Sequence, residues 1–398
     1  MNRFTLSFLC LLMINVGSSR AEPLAIKDGE RIVLIGNTLI EREQRYGYWE
    51  AALTRRFPDK RFTFRNLGWS GDTVFADARG IFDAPSVGFT RLIELTKALN
   101  PTLILVSYGT NESFGGEAGM PGFIAGYNKL LDALAPTKAK VILIQPLRME
   151  SKPHPLPSPT EANKNLSLYQ AGIRDLGTKR GLPVIDLSGS LSTAEGVRTD
   201  NGMHLTDFGY WDTAIALERA LDLPTTTWNL ELNSTGKVIK ISGAKVTPMD
   251  ERKFSLVADV LPLPPFPKGT DISRLKDFAG VGSVKIDGLP QGLYVLKVDG
   301  TELATGTEDA WKKGLTVHVG PDVQQAETMR KEICMKNELY FYKWRPQNIT
   351  YLLGFRKNEQ GNNAKELADF DPLIAEKETA IHKLSQPVPH VYELAPKN

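Results

Sequence analysis

"RIVLIGNTLIER", residues 31–42, is the stretch on which the fold turns. Its β-branched apolar run, Ile32 to Ile35, breaks at Gly36 and passes through Asn37-Thr38 into a charged, helix-prone segment. That is how a strand hands over to a helix, with a hydroxyl placed at the junction. The pattern then repeats. Apolar runs at 31–35, 62–66, 102–107, 140–145 and 182–186 alternate with amphipathic stretches near 44–57, 86–98, 121–135, 161–180 and 207–221. Parallel neighbours need long crossovers and helices supply them, so five such strands predict a doubly wound α/β domain with a five-stranded parallel sheet. In sheets of this kind the site is built by loops leaving the carboxyl ends of the strands.

The composition changes after Leu223-Pro224. Residues 225–320 carry runs such as "KVIKISGAKV" and "GLYVLKVDG", punctuated by glycine and proline, with no helical spacers. They predict a β-rich module of sandwich or barrel type, in which the proline-rich "LPLPPFPKGT" is a loop or an edge. From about 321 to 398 the pattern turns helical again and ends in a polar tail. The expected division is therefore 1–21, 22–222, 223–320 and 321–398.

The first 21 residues have a basic start, an apolar stretch from Phe4 to Val16, and Ser19 and Ala21 in the positions of an A-x-A cut. These features predict a signal peptide and a secreted or periplasmic protein, a retained N-terminal anchor being the alternative. No other apolar run approaches a membrane span. The chain has formal charge +2, so losing Arg3 and Arg20 leaves zero. A neutral chain without a basic stripe offers no electrostatic case for nucleic acid. Of two cysteines, Cys10 leaves with the leader and Cys334 stays alone, which excludes an intramolecular disulfide and a cysteine metal cluster. At 398 residues, 41% of them hydrophobic, the chain is long enough to bury sizeable cores.

Four strand-end loops carry the chemistry. They are Gly36-Asn37-Thr38, "NLGWSGDT" (66–73), Tyr108-Gly109-Thr110-Asn111-Glu112 and "RTDNGMHLTDFGY" (198–210). Taken together they resemble the four blocks of the SGNH hydrolases, the GDSL-type esterases. Here G-N-T stands for G-D-S, "NLGWSGDT" for N-x-G-x-x-G, G-T-N-E for G-x-N-D and "NGMH" for D-x-x-H. The resemblance spans about 22–222, half of the chain.

It implies acyl transfer without a cofactor or metal. A hydroxyl at its free pKa is a poor nucleophile and needs a base to take its proton, while charge developing on the carbonyl oxygen needs N–H donors already in place. Carried over by position, Thr38 is the nucleophile, His204 the base, and the backbone N–H groups of Thr38 and Gly71 with the Asn111 amide form the oxyanion hole. Trp69 and Tyr108, in the same loops, are expected to contact substrate.

Two positions depart from the pattern. Thr38 replaces serine and adds a methyl group that stiffens χ1 and crowds the line of attack. Asn201 replaces the aspartate three residues before the histidine, a change that cost about 10⁴ in turnover in the serine-protease template through the wrong tautomer. Asp200, one residue earlier, is the other candidate to orient His204. Two readings follow: a secreted ester hydrolase acting on small-molecule or carbohydrate esters, or a domain that kept the cleft and lost the chemistry.

Each loop residue also has a plainer reading. Thr38 could be the N-cap of the following helix, Asn111 a turn residue, and Gly36, Gly68 and Gly71 turn glycines. Ser70 and Ser113 are displaced-nucleophile candidates. Asp200, His204 and Asp207 have a spacing that suggests a metal, although Asp207 is explained more simply as a helix cap. Cys334 reads as a small buried hydrophobe. In 337–363, Tyr340, Tyr342, Trp344 and Tyr351, with Arg345, Gln347 and Asn348, suit either packing between domains or a sugar-like ligand, and packing is the favoured reading.

Overall fold

A computed structural model describes residues 26–153, 158–188, 198–223, 228–268, 281–359 and 363–397. The expected leader (1–21), Cys10 and His154 lie outside them. The first sheet holds β1 (Glu30–Gly36), β2 (Phe62–Asn66), β3 (Leu103–Ser107), β4 (Lys140–Ile144) and β5 (Val184–Ile185). They run in the order β2-β1-β3-β4-β5, every pair parallel. Between and after them come α1 (Thr38–Tyr46), α2 (Tyr48–Arg56), α3 (Pro85–Ala98), α4 (Gly116–Leu134), α5 (Thr160–Arg180) and α6 (Asp207–Ala220).

Successive strand residues point to opposite faces, so one apolar run feeds two cores. Ile32 and Leu34 of β1 face Trp49 and Leu53 of α2 and Trp211 of α6. Val33 and Ile35 face Leu92 of α3, Tyr127 of α4 and Ile173 of α5. Fully burying each such side chain stabilises by about 1.5–3 kcal/mol. The single helix expected near 44–57 is two, because Gly47 sits at φ +65° and closes α1 by donating its N–H to Glu43 O at 2.8 Å. A left-handed glycine of this kind ends a helix without strain.

The β module is a sandwich of β6 (Trp228–Asn233), β7 (Val238–Ser242), β8 (Ala244–Asp250), β9 (Lys253–Ala258), β10 (Gly282–Asp287), β11 (Leu293–Val298), β12 (Thr301–Thr307), β13 (Leu315–Val317) and β14 (His390–Pro396), with α7 (Glu308–Lys313) between β12 and β13. Its sheets have the orders β13-β10-β6-β7 and β12-β11-β14-β9-β8. Trp228, Val284, Leu256, Leu296 and Trp311 fill the space between them. The boundary expected at 320 does not hold for the tail. After α8 (Pro321–Trp344), α9 (Ile349–Leu352) and α10 (Phe370–Leu384), the chain returns as β14 and inserts between β9 and β11.

α8 lies against α1, α2 and β2. Its Lys336, fully buried, donates to both carboxylate oxygens of Glu50 at 2.6 and 2.8 Å. The proline-rich loop after β9 is likewise tied to the α/β domain: Arg55 donates to Leu261 O at 2.7 Å and the Trp211 indole to Pro264 O at 3.0 Å.

Candidate active site

The first loop starts from close backbone packing. A Cβ at Gly36 would sit 2.4 Å from Ser107 O, and one at Gly68 would sit 2.2 Å from Glu41 N. Only glycine lets β1, its neighbour strand and the second loop approach this closely. The cap of α1 is Asn37, whose side-chain oxygen accepts from Leu39 N at 3.2 Å. Thr38 is therefore the first residue of the helix and does not cap it, which leaves its hydroxyl free of that duty. Gly71, at φ +77°, donates its N–H to Thr38 Oγ1 at 3.2 Å.

The second and third loops are clamped by buried charge. Asp72 and Arg79 are both essentially inaccessible and pair at 2.6 Å, and Arg79 also donates to Leu67 O at 2.7 Å. The Tyr108 hydroxyl donates to the same Asp72 oxygen at 3.0 Å. Burial pushes the Asp72 carboxyl upward against the pull of Arg79, so breaking the pair would leave an uncompensated buried charge. Asn111 donates one of its two amide N–H groups to Asp72 O at 2.7 Å. Glu112 ties the loops together by accepting from Val74 N and Gly109 N, both at 2.8 Å.

His204 rides on a tight hairpin. Thr199 and Leu205 form a β-bridge, Asp200 N donates to His204 O at 2.9 Å, and Thr206 N donates to Arg198 O at 2.8 Å. Glu150 anchors the hairpin by accepting from the N–H and the hydroxyl of Thr199 at 2.9 and 2.6 Å. Thr206, not Asp207, caps α6 by accepting from Gly209 N. Among the described residues no group of side chains is arranged to hold a metal.

Asn201 orients the imidazole, and its own orientation is fixed. Its side-chain oxygen accepts the N–H groups of Met203 and His204 at 3.1 and 2.9 Å, which turns the amide nitrogen toward His204 Nδ1 at 3.2 Å. A donor facing Nδ1 makes that nitrogen an acceptor and puts the proton of the neutral ring on Nε2. Asp200 does not take this place; it pairs with Arg42 at 3.1 Å. Burial, and then the Arg42 charge, hold the His204 pKa below its ordinary value of 6.5.

Thr38, Asn111, Arg42 and His204 line one cleft, closed by Leu147, Met203 and Tyr210. Among the described residues no hydrogen bond joins Thr38 Oγ1 to the imidazole. A roomier hollow of about 360 Å³, between β2 and α10, contains none of the loop residues.

Tyr108 and Trp69 are outside the cleft lining, contrary to the substrate contacts expected of them. Tyr108 is fully buried on Asp72, and Trp69 lies under the Arg345 guanidinium, 3.5 Å from ring centroid to charge. Ser113 is buried and donates to Thr110 O at 2.7 Å, and Ser70 is exposed. Cys334 is half-buried with its thiol pushed up to about 12, burial being the first cause.

Tyr340 and Trp344 pack into the core on the Trp69 side of the sheet. Arg345 reaches Glu41 at 2.8 Å, and Glu41 in turn accepts from Ser70 N at 2.6 Å. Sequence reading missed Arg42, Asp72, Arg79, Glu112 and Glu150. Asp72 and Glu112 lie inside the quoted loops, and Arg42 left a local signal as a cation one helical turn after Thr38.

Residues 34–211 match the family model for GDSL-like lipases and acylhydrolases. That match lies within the α/β half of the chain and takes in all four strand-end loops. No curated protein matches the chain.

Among solved structures, BT4096, a gut microbial diltiazem-metabolizing enzyme, superposes with a TM-score of 0.71 at 17% identity, over 94% of this chain and 99% of that one. The fold shared with it thus extends past the GDSL-like domain to the sandwich and helices. The acetylxylan esterase Axe2 from Geobacillus stearothermophilus covers 50% of this chain and 98% of its own, at 17% identity and TM-score 0.41. LAE5, an alpha/beta hydrolase from the metagenome of Lake Arreo, Spain, covers 50% and 97%, at 18% identity and TM-score 0.40.

Proposed function

We propose that the GDSL-like domain hydrolyses carboxylic esters of an exported protein's substrates, carbohydrate O-acyl groups among them, with Thr38 as nucleophile and His204 as base. One observation carries the reading: Gly71 N–H is aimed at the Thr38 hydroxyl in the cleft that Asn111 and His204 also line. Thr38 Oγ1 attacks the carbonyl carbon while its proton passes to His204. The oxyanion is met by the N–H groups of Thr38 and Gly71 and the second amide N–H of Asn111, donors worth about 3–4 kcal/mol each when such a site closes on its transition state. The tetrahedral intermediate expels the alcohol, which leaves with the proton from His204. Water, deprotonated by His204, then splits the acyl-threonine to acid and free hydroxyl.

The resting ring works against this chemistry. Nε2 must be bare to accept a proton, whereas Asn201 favours the form that carries one there. Reversing the amide forfeits the two backbone bonds to Oδ1, each worth about 0.5–1.5 kcal/mol. The enzyme on this reading is slow.

The same observation favours a second reading, a cleft that binds esters or acids without turnover. Labelling by a fluorophosphonate separates the two. Capture at Thr38, with loss of p-nitrophenyl acetate and sugar acetate hydrolysis in Thr38→Ala and His204→Ala at unchanged thermal unfolding, supports the hydrolase. No labelling and no hydrolysis by the wild type leaves the binding cleft, and labelling at Ser70 or Ser113 moves the nucleophile.

A further inference from the structure

We infer that the substrate carries a carboxylate close to the scissile ester and that Arg42 recognises it, an inference that rests on the ester-binding reading of the same cleft. Among the described residues, Arg42 is the one with a full charge in the lining of the cleft, where it sits with Thr38, Asn111 and the neutral His204. Asp200, its partner, is not part of that lining. A cleft whose lining carries one cation favours an anionic ligand over a neutral one of the same shape.

The guanidinium is also placed to accept a new partner. One arm, Nη2, meets Asp200 Oδ2 at 3.1 Å and Leu205 O at 3.4 Å, and the Tyr46 hydroxyl also bonds to the guanidinium. The Asp200 side chain is 48% exposed, so the pair is a single solvent-facing contact of the kind that contributes little to stability. A substrate carboxylate arriving in the cleft can engage the planar fork through two N–H groups, the stronger geometry. Asp200 is then an internal competitor that the ligand displaces. Helical geometry sets the reach: Arg42 follows Thr38 by one turn, so both project from the same side of α1. An anion on Arg42 would therefore leave its ester near the Thr38 hydroxyl.

The test compares monomethyl succinate, one free carboxylate and one ester, with dimethyl succinate on the full-length protein. Calorimetry reads binding and methanol release reads turnover. Wild type should bind the monoester tenfold or more tightly than the diester. Arg42→Gln should remove most of that preference, Arg42→Lys should keep part of it, and Asp200→Asn should widen it by freeing the guanidinium. The opposite signs at two paired residues distinguish recognition from a structural role, which would make both substitutions act alike.

Equal binding of the two esters by wild type overturns the inference, as does a preference that survives Arg42→Gln. If Arg42→Gln does not fold, the Asp200→Asn result decides. A binding preference without methanol release would keep the Arg42 assignment and remove the hydrolase. Methanol release without preference would do the reverse.

Discussion

The Gly71 loop, which reaches the cleft through its bond to Thr38, and the His204 loop, which lines it, are held by opposite means. The Gly71 loop is locked from beneath by Asp72 and Arg79, a charge pair out of contact with water, with Tyr108 and Glu112 completing the clamp. The His204 loop is held at its base by Glu150, while the groups next to the imidazole, Asn201 and the Asp200–Arg42 pair, are in solvent reach. The Gly71 half is thus fixed by interactions that cannot be altered cheaply. The His204 half rests on residues whose replacement costs the fold little, and one of the two departures from the GDSL-type pattern, Asn201, lies there, the other being Thr38 at the start of α1.

The sharpest challenge to that contrast is Asn201→Asp. A carboxylate there accepts from Nδ1–H and frees Nε2, so ester hydrolysis should rise by about 10²–10⁴, the scale of the reverse change in the serine-protease template. Steady-state rates on p-nitrophenyl acetate measure it, and an unchanged rate would mean that the tautomer does not limit this cleft.

Next in size is the effect on stability. Arg79→Met leaves the Asp72 carboxylate buried without its counter-charge and should cost about 3–5 kcal/mol, whereas Asp200→Asn should move stability by less than about 0.5 kcal/mol. Urea unfolding of the two variants compares the loops directly; similar losses would erase the distinction between them.

A smaller effect is expected where the end of α8 supports the Gly71 loop. Arg345→Ala removes the cation over Trp69 and the contact with Glu41, and should lower stability by about 1–2 kcal/mol and kcat more than KM. A fall in KM alone would argue against support of the oxyanion donor.

The smallest effect is a shift in pH dependence. The His204 pKa is lowered, so its neutral form persists below pH 6.5 and the acidic limb of kcat/KM should fall there. Arg42→Gln removes one lowering cause and should move that limb upward, while burial, the larger cause, remains.

Stability has its own pH signature away from the cleft. Buried Glu43 has its pKa raised to about 8, chiefly by desolvation. A carboxyl raised in the folded state stabilises fully below its unfolded value near 4.5 and loses that contribution as pH climbs through 8. Glu43→Gln should match wild type in thermal unfolding at pH 5 and exceed it at pH 9.

Much of this was legible in the residues. The five runs from Ile32 to Ile185 each fell on a strand because alternation between two apolar faces is a local property of the chain. The helix expected across 44–57 failed at Gly47 because a left-handed cap looks like any other glycine until the following helix takes its direction. Thr38 was open to reading as a cap because Asn37 and Thr38 are both good caps, and only the Leu39 N–H chose between them. Tyr108 looked like a ligand contact by its place in a loop, yet its hydroxyl is used on Asp72 in the core. The sandwich was visible as strands, but not that its fifth partner, β14, arrives from the far end of the chain.

Local pattern along the chain was enough for the parallel sheet, the order of its four strand-end loops and the residue types offered to the cleft, since periodicity and turn chemistry act over a few neighbours. Tertiary structure alone decided that Asp72 meets Arg79 and Tyr108, that Asp200 goes to Arg42 and leaves His204 to Asn201, and that α8 braces Trp69. Such pairings join side chains far apart along the chain, and their choice depends on which partner burial leaves within reach, a quantity no local pattern contains.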